Sequence, residues 1–426
     1  MSFDTISPID GRYRKEAEPL AAYFSERALT TERVRVELAY LRLLVKLGIA
    51  PKMMVPKVEP SVEEVRKLEA DVGHDVKAVE VYLRESLKRS GAKKLAPFVH
   101  IGLTSEDTNS LAFALLLKGA LDNIMVPAYS LLANRVAGIA SREAATVMLA
   151  RTHGRPAVPT TFGKEMAVFA VRIAERVSGL RALKPMAKFS GAVGTYASFY
   201  LLGARDWPRE LASFVTRSGV DSSAYSTQVV PGERISDILH HIININQLVL
   251  SLSRDLWLYQ TLDYVRFARP GKVSSSTMPQ KVNPVDLENA EGQVEVSNSL
   301  LTLLAYRLQV TRMQRDLSDS VIRRMLGQGL AHSLVAAGRL MASLRVMEVD
   351  RKTMVKDLER HPEVYAEWAQ VSLRLGGDES GYEKVKAAVE RGAPISRQRP
   401  GSYLGRAKSL ATECPAVVRR LLETSS

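Results

Sequence analysis

The sequence holds a single cysteine, Cys414, in 426 residues. No intrachain disulfide is possible, and a chain so poor in thiols suits a reducing cytoplasm. One cysteine also excludes a zinc site built on thiolates, and no His-Glu-x-x-His run is present to build one on imidazoles. No G-x-G-x-x-G follows a strand pattern and there is no Walker A loop, so dinucleotide and P-loop chemistry are not expected. No window approaches about 18 uninterrupted apolar residues, so no transmembrane helix is expected. Met1-Ser2-Phe3-Asp4 lacks a basic stretch leading into an apolar one, so no secretory signal is expected either. Alternating β-branched runs bounded by turns are few, and no internal repeat or low-complexity tract is visible.

Proline is absent from Gly232 to Arg269 and again from Val285 to His361. Both stretches read as long uninterrupted helices. In the first, Ile238, Ile242, Ile245, Val249, Leu252, Leu256 and Tyr259 recur at alternating four- and three-residue steps. That spacing is a heptad seam, and its residues are scaffold. A third apolar segment runs from Ser110 to about Ile139, interrupted only by Pro127, and a fourth from Thr161 to about Leu183. The pattern predicts an all-α fold of three domains with a central bundle of very long helices. Clustered Pro51, Pro56 and Pro60 mark an N-terminal helical domain over 1–105. The long-helix bundle occupies 106–348. Gly376-Gly377-Asp378 and Gly392-Ala393-Pro394 punctuate a small C-terminal helical domain over 349–426.

Hydrophobic residues make up 46% and charged residues 25%, the balance of an ordinary globular protein. The formal charge is +13, but lysine and arginine are dispersed among acids, as in Glu63-Glu64-Val65-Arg66-Lys67. Nucleic-acid binders cluster their basic residues. The expectation is therefore no nucleic acid, no membrane, and basic pockets for a small polyanionic substrate.

Among seven histidines, His240 and His241 are adjacent on a helix and point about 100° apart, one expected inside and one at the surface. They are no ligand pair. Gly327-Gln328-Gly329, inside a helical stretch, reads as a packing contact. His153 in Arg151-Thr152-His153-Gly154-Arg155-Pro156, His100 before Ile101-Gly102-Leu103, and His74 in Gly73-His74-Asp75 each sit at a loop or helix start. Each is also compatible with a structural role. An imidazole between two arginines tends to lose its proton unless a carboxylate offsets them, and Glu288 is the carboxylate expected to do so.

Thr104-Ser105-Glu106-Asp107 reads as a helix N-terminus, either an ordinary cap or a cradle for a carboxylate or phosphate. Arg315-Asp316-Leu317-Ser318-Asp319-Ser320 with Arg323-Arg324 offers guanidinium forks and hydroxyls. Arg12-Tyr13-Arg14 is a weaker phosphate candidate of the same kind. The loop from Gly271 to Pro284 gathers Ser274, Ser275, Ser276, Lys281 and Asn283, a donor-rich lid for an anion.

Residues 274–283 of this loop, Ser274-Ser275-Ser276-Thr277-Met278-Pro279-Gln280-Lys281-Val282-Asn283, resemble the GSSxMPxKxN signature of the fumarase/aspartase superfamily, whose members release fumarate by β-elimination. Within it the chain is most similar to the adenylosuccinate lyase branch of enteric-bacterial type. The matching stretches run in family order from about residue 6 to 408. They are Ser7-Pro8-Ile9-Asp10-Gly11-Arg12-Tyr13, His74-Asp75-Val76-Lys77, Thr104-Ser105-Glu106-Asp107, Arg151-Thr152-His153-Gly154, Gly163-Lys164-Glu165-Met166, Gly191-Ala192-Val193-Gly194, Ser226-Thr227-Gln228, Gln314-Arg315-Asp316-Leu317 and Tyr403-Leu404-Gly405-Arg406-Ala407. Ser274 stands where the signature has its first glycine. Gln280 stands where adenylosuccinate lyases often carry histidine, and is similar there to argininosuccinate lyase, the alternative reading.

The chemistry of the residues alone favours a histidine or Lys281 as base, because free serine is a poor one. The resemblance instead implies Ser275 as base when the loop closes, His153 as general acid, and Glu288 facing His153. It implies Lys281 and Asn283 on the substrate carboxylates. His74, Asp75, Thr104, Ser105, Thr152 and Gln228 would line the succinyl and base pocket, with His100 nearby. Arg12, Tyr13, Arg315, Ser320 and Arg324 would bind the nucleotide phosphate and ribose. It implies a cytoplasmic enzyme with no cofactor and no metal, assembled as a homotetramer whose active sites are shared between subunits.

Overall fold

The computed structural model describes residues 4–267, 277–278, 280–393, 395 and 401–423. The fold is all-α: helices dominate, and the strands form only three two-stranded sheets among the described residues. Two compact units emerge. The first comprises 1–127, 179–244 and 295–335, and the second 128–178, 245–294 and 336–426. Every boundary between them falls inside a helix. Val126–Arg142, Phe162–Ala182, Glu233–Thr261, Val285–Arg307 and Leu326–Val346 each contribute residues to both.

The first proline-free stretch forms the 29-residue helix Glu233–Thr261. Its seam from Ile238 to Leu256 is buried, at roughly 1.5–3 kcal/mol per large aliphatic side chain removed from water. The second stretch is not one helix. It divides into Val285–Arg307, Ser318–Arg323, Leu326–Val346 and Arg351–Glu359. The break at 308–317 is made by polar side chains rather than proline. Asp316 accepts from the backbone N–H groups of Arg312 at 3.0 Å and Ser318 at 3.0 Å, and Thr311 Oγ1 accepts from Asp316 N at 3.0 Å. Short polar side chains that capture local amides in this way compete with helix continuation.

The predicted interruption at Pro127 appears as a π-helical turn, Leu121–Met125, between Ser105–Ala120 and Val126–Arg142. Val126 N reaches back five residues to Leu121 O, which makes room for a proline ring that an α-helical turn would crowd. The stretch Ser105–Arg142 is long and apolar enough to cross a membrane by composition, with a window of mean hydropathy 1.5. Its Leu111, Leu117, Tyr129, Leu132 and Val136 are instead buried in the protein core.

In the first unit the core surrounds Tyr40. Its ring lies 5.4 Å from Phe189 and 6.4 Å from both Phe199 and Phe214, and its hydroxyl donates to Ile101 O at 2.8 Å. Gly327 and Gly329 are packing contacts, since a Cβ would lie 2.5 Å from Phe24 and 2.7 Å from Leu301 respectively. His240 and His241 do not divide into one buried and one exposed ring. Both are half-buried, because each Nδ1 bonds the carbonyl one helical turn back, at 2.8 Å to Ser236 O and 2.9 Å to Asp237 O.

In the second unit Phe162, Tyr259 and Tyr264 pack ring to ring, at 5.9 and 6.1 Å. A small apolar cluster of Leu149, Leu358, Val364 and Tyr365 joins the strand Val147–Thr152 to the helix Arg351–Glu359.

Candidate active site

The predicted site residues fall into both units. Thr152, His153, Lys281, Asn283 and Glu288 belong to the second unit, and all the remaining described ones to the first. Ser275, with Ser274 and Ser276, lies outside the described residues.

His153 is at the tip of a β-hairpin. Val147–Thr152 runs antiparallel to Arg155–Thr161, with Thr152 paired to Arg155 across the two-residue loop His153-Gly154. A tight hairpin loop that matches the strand twist needs positive φ at both central positions. They are 53° at His153 and 72° at Gly154. The price of that geometry is small for glycine and on the order of 1 kcal/mol for histidine. It leaves the His153 imidazole and Thr152 exposed.

Arg151 turns inward from the same strand. Its guanidinium donates to Asp357 Oδ2 at 2.8 Å and to Tyr264 Oη at 3.0 Å, and the Tyr264 hydroxyl donates to Asp357. Burial alone would raise the Asp357 pKa. Hydrogen bonds from Tyr264 and Arg151 outweigh it and hold the carboxyl below the ordinary range. Asp357 is thus the carboxylate that offsets Arg151, a role no sequence motif had marked. Glu288 sits in the first turn of Val285–Arg307 and accepts from Trp257 Nε1 at 3.2 Å. Among the described residues of this one chain, no hydrogen bond or ion pair joins it to His153. Lys281 is exposed in a turn closed by its own N–H to Met278 O at 3.0 Å. Asn283 is half-buried just ahead of the helix start.

In the first unit, Arg315, Ser320 and Arg324 line one small cavity together with Arg33, Asn109 and Arg323. Glu106 closes it from beneath. That fully buried carboxylate pairs with Arg323 at 2.6 Å and Arg315 at 3.3 Å. Asp319 holds Arg323 from its other side at 2.7 Å. The lining carries four guanidinium groups against the two carboxylates Glu106 and Asp319. Behind it, Asp75 holds Arg33 at 2.6 Å and stands 3.5 Å from Arg324, whose other fork reaches Glu26 at 2.8 Å. Burial pushes the Asp75 pKa up, but Arg33 and the Val76 amide more than reverse this and keep the carboxyl ionised. Gln228 joins the group by accepting from Arg315 at 3.2 Å.

His74 is the N-cap of Asp75–Arg89 and accepts from Lys77 N at 3.3 Å. His100, at a φ of 61°, meets the buried carboxylate of Glu37 at 2.6 Å, and Thr108 donates to the same oxygen. Burial would lower the His100 pKa, but the Glu37 charge raises it above the ordinary value. Arg12 is exposed in the turn before Arg14–Phe24, and Tyr13 is its N-cap residue; neither lines the arginine cavity.

Thr104 and Ser105 open the helix Ser105–Ala120 through a capping box with Asp107, whose Oδ2 accepts from Thr104 N at 2.9 Å. The other Asp107 oxygen is taken by Lys188 Nζ at 2.9 Å and Ser190 N at 2.9 Å. Lys188 and Asp107 have no solvent exposure at all. This pair fixes the loop 190–194 against the helix start. Gly194 then passes so close to Ser226 that a Cβ would lie 2.0 Å from its carbonyl oxygen, at a φ of 81°. Sequence reasoning missed Lys188, Arg33 and Asn109, and took Glu106 only as part of a helix start. The signal available for Lys188 was a lysine inside the apolar run Met186-Ala187-Lys188-Phe189, where burial demands a counter-charge.

Comparison with known proteins adds to this geometry. Residues 11–296 match a family described as lyase, and residues 311–414 match one described as adenylosuccinate lyase C-terminal. The adenylosuccinate lyase of Legionella pneumophila (strain Corby) is 35% identical over 99% of this chain and 95% of its own. The adenylosuccinate lyase of Escherichia coli (strain K12) is 33% identical over 97% of this chain and 99% of its own. Among solved structures, the 3-carboxy-cis,cis-muconate lactonizing enzyme from Pseudomonas putida aligns with a TM-score of 0.77 at 19% identity, covering 95% of this chain and 97% of that one. At that identity the likeness concerns the fold alone.

Proposed function

We propose, because this chain belongs to the adenylosuccinate lyase family, that it eliminates fumarate from adenylosuccinate to give AMP, and from the succinylated aminoimidazole carboxamide ribotide to give its carboxamide. The observation that carries this reading is the similarity to adenylosuccinate lyases over nearly the whole chain. The arginine cavity supports it, because three predicted phosphate ligands, Arg315, Ser320 and Arg324, share one lining.

In the elimination a base takes the proton from the carbon beside a carboxylate. The electron pair forms the C=C bond of fumarate, the C–N bond breaks, and the purine amino nitrogen takes up a proton. Ser275 is the base and His153 the acid. An imidazole held at an exposed hairpin tip can reach a substrate that enters from outside its own unit. Lys281 and Asn283 hold the substrate carboxylates and the charge that develops on them. Glu288 faces His153 across an interface between subunits of a homotetramer. Exposed apolar side chains on the long helices, Leu131, Val296, Leu303 and Tyr306, support such an assembly. Arg12 and Tyr13 reach the phosphate in that assembly, and the division into 1–105, 106–348 and 349–426 is part of the same proposal, as is a cytoplasmic location.

Fumarate release measured from adenylosuccinate, the carboxamide precursor and argininosuccinate decides the matter. Release from the first two and not the third is expected. Release from argininosuccinate alone would move the substrate to the reading that Gln280 suggests.

A further inference from the structure

The hairpin that carries His153 has an irregular ladder. Its paired positions on the second strand include Pro156 opposite Arg151 and Pro159 opposite Leu149, and neither has an N–H to donate. The register also shifts between Leu149 and Arg151, so a bulge sits two residues before the last paired rung, Thr152–Arg155. Beyond the bulge the tip keeps two paired rungs, Arg151–Pro156 and Thr152–Arg155. A side chain fastens it as well. Arg151, two residues before His153, spends both ends of its fork on Asp357 at 2.8 Å and Tyr264 at 3.0 Å.

Tyr264 is a rigid anchor. It is fully buried, it stacks on Tyr259, and it donates to the same Asp357 oxygen. Asp357 lies on Arg351–Glu359, whose Leu358 packs on Leu149 of the first strand. At the far end of that helix Arg351 grips the buried Glu143 bidentately, at 2.9 and 2.7 Å. The helix is thus fastened at the base of the hairpin and at its tip. The Arg151–Asp357 pair is largely buried, at 22% and 17% side-chain exposure, so water competes little for either partner.

We infer that Asp357 and Tyr264, acting through Arg151, are positioning residues that set the direction of the His153 imidazole. This rests on His153 being the general acid. None of the three touches the reacting atoms. Their work is to keep an exposed ring within the narrow range of angles that proton transfer to a leaving nitrogen requires. A misplacement of about 1 Å costs on the order of 10²-fold in rate.

The test is a double-mutant cycle with a structural readout beside it. Asp357→Asn should lower kcat by roughly 10- to 100-fold with KM within about threefold, in a protein of unchanged circular dichroism and assembly. In a His153→Ala background the same substitution should cost nothing further, because the group it positions is gone. An equal loss in both backgrounds would overturn the inference, and so would an unchanged kcat. Tyr264→Phe removes one hydroxyl from a fully packed ring and serves for the same cycle if Asp357→Asn folds poorly. Hydrogen–deuterium exchange of the peptide over 147–161 should speed up in Asp357→Asn with the rest of the chain unaffected. Unchanged exchange there would overturn the clamp whatever the activity. The parent reading fails separately, when wild-type protein releases no fumarate or His153→Ala turns over normally.

Discussion

The two units hold their candidate residues in opposite ways. In the first, the binding residues are tied down by their own counter-ions: Arg315 and Arg323 by Glu106, Arg33 by Asp75, Arg324 by Glu26, and the loop 190–194 by the buried Lys188–Asp107 pair. In the second, Thr152 and His153 stand exposed on a hairpin tip, and Glu288 points at Trp257 rather than at them. The difference fits the roles proposed for each set. Groups that grip a phosphate have to be charged and in place before it arrives, so their charges are neutralised and their rotamers fixed. Groups that exchange protons have to be reached by a substrate, so they are presented rather than packed. The contrast predicts that substitutions in the second unit act on kcat, and those in the first on stability or KM.

The largest effect should come from the proposed base and acid. Ser275→Ala and His153→Ala should each lower kcat by roughly 10²- to 10⁴-fold while leaving the folded assembly intact. Steady-state kinetics on adenylosuccinate, with circular dichroism as control, measures both. Near-normal turnover in Ser275→Ala would remove the base, and in His153→Ala the acid.

Next comes the buried ion pair. Lys188→Met leaves the Asp107 carboxylate without its cation in a site with no solvent exposure, a loss of about 3–5 kcal/mol. Urea unfolding measures it, and adding Asp107→Asn should restore part of the stability. A loss under about 1 kcal/mol would mean that the backbone amides of Thr104, Ser190 and Gly191 satisfy Asp107 by themselves.

The same contrast explains what could be read beforehand. The seam from Ile238 to Leu256 and the helix ends were legible, because periodicity and caps are local and need no partner. The break at 308–317 was not, because Asp316 and Thr311 end a helix by side-chain hydrogen bonds that no proline announces. The arginines of the cavity were legible as a charge pattern, whereas Glu106 was read as part of a cap although its partners lie about 200 residues further along the chain. Asp357 was hidden for the same reason, 206 residues from Arg151. Sequence spacing reveals groups that share an element, and long-range ion pairs leave no such trace.

A smaller effect belongs to Arg324. It is half-exposed and its partner Glu26 is exposed too, so the fold should hardly notice Arg324→Ala. Substrate binding should notice, with KM raised by the equivalent of about 1.5–3 kcal/mol and kcat nearly unchanged. An unchanged KM would take Arg324 out of the phosphate site and leave Arg315 and Ser320 to carry it.

The smallest effect tests the contrast within the first unit itself, by pH. Asp75 and His100 both sit in ion pairs but are shifted in opposite directions, Asp75 down and His100 up. A carboxylate whose folded pKa is lowered stabilises the fold above its unfolded value and loses that contribution as pH falls through the folded one. A histidine whose folded pKa is raised does the reverse. Its contribution is complete below the unfolded value of 6.5 and disappears as pH rises through the higher folded value. His100→Gln should therefore be least stable relative to wild type near about pH 6, and the gap should narrow through neutral pH and above. Urea midpoints of the two proteins across that range measure it. A gap that stays constant into alkaline solution would mean that a neutral imidazole donates to Glu37 as well as a charged one, and that His100 is held by its hydrogen bond rather than its charge.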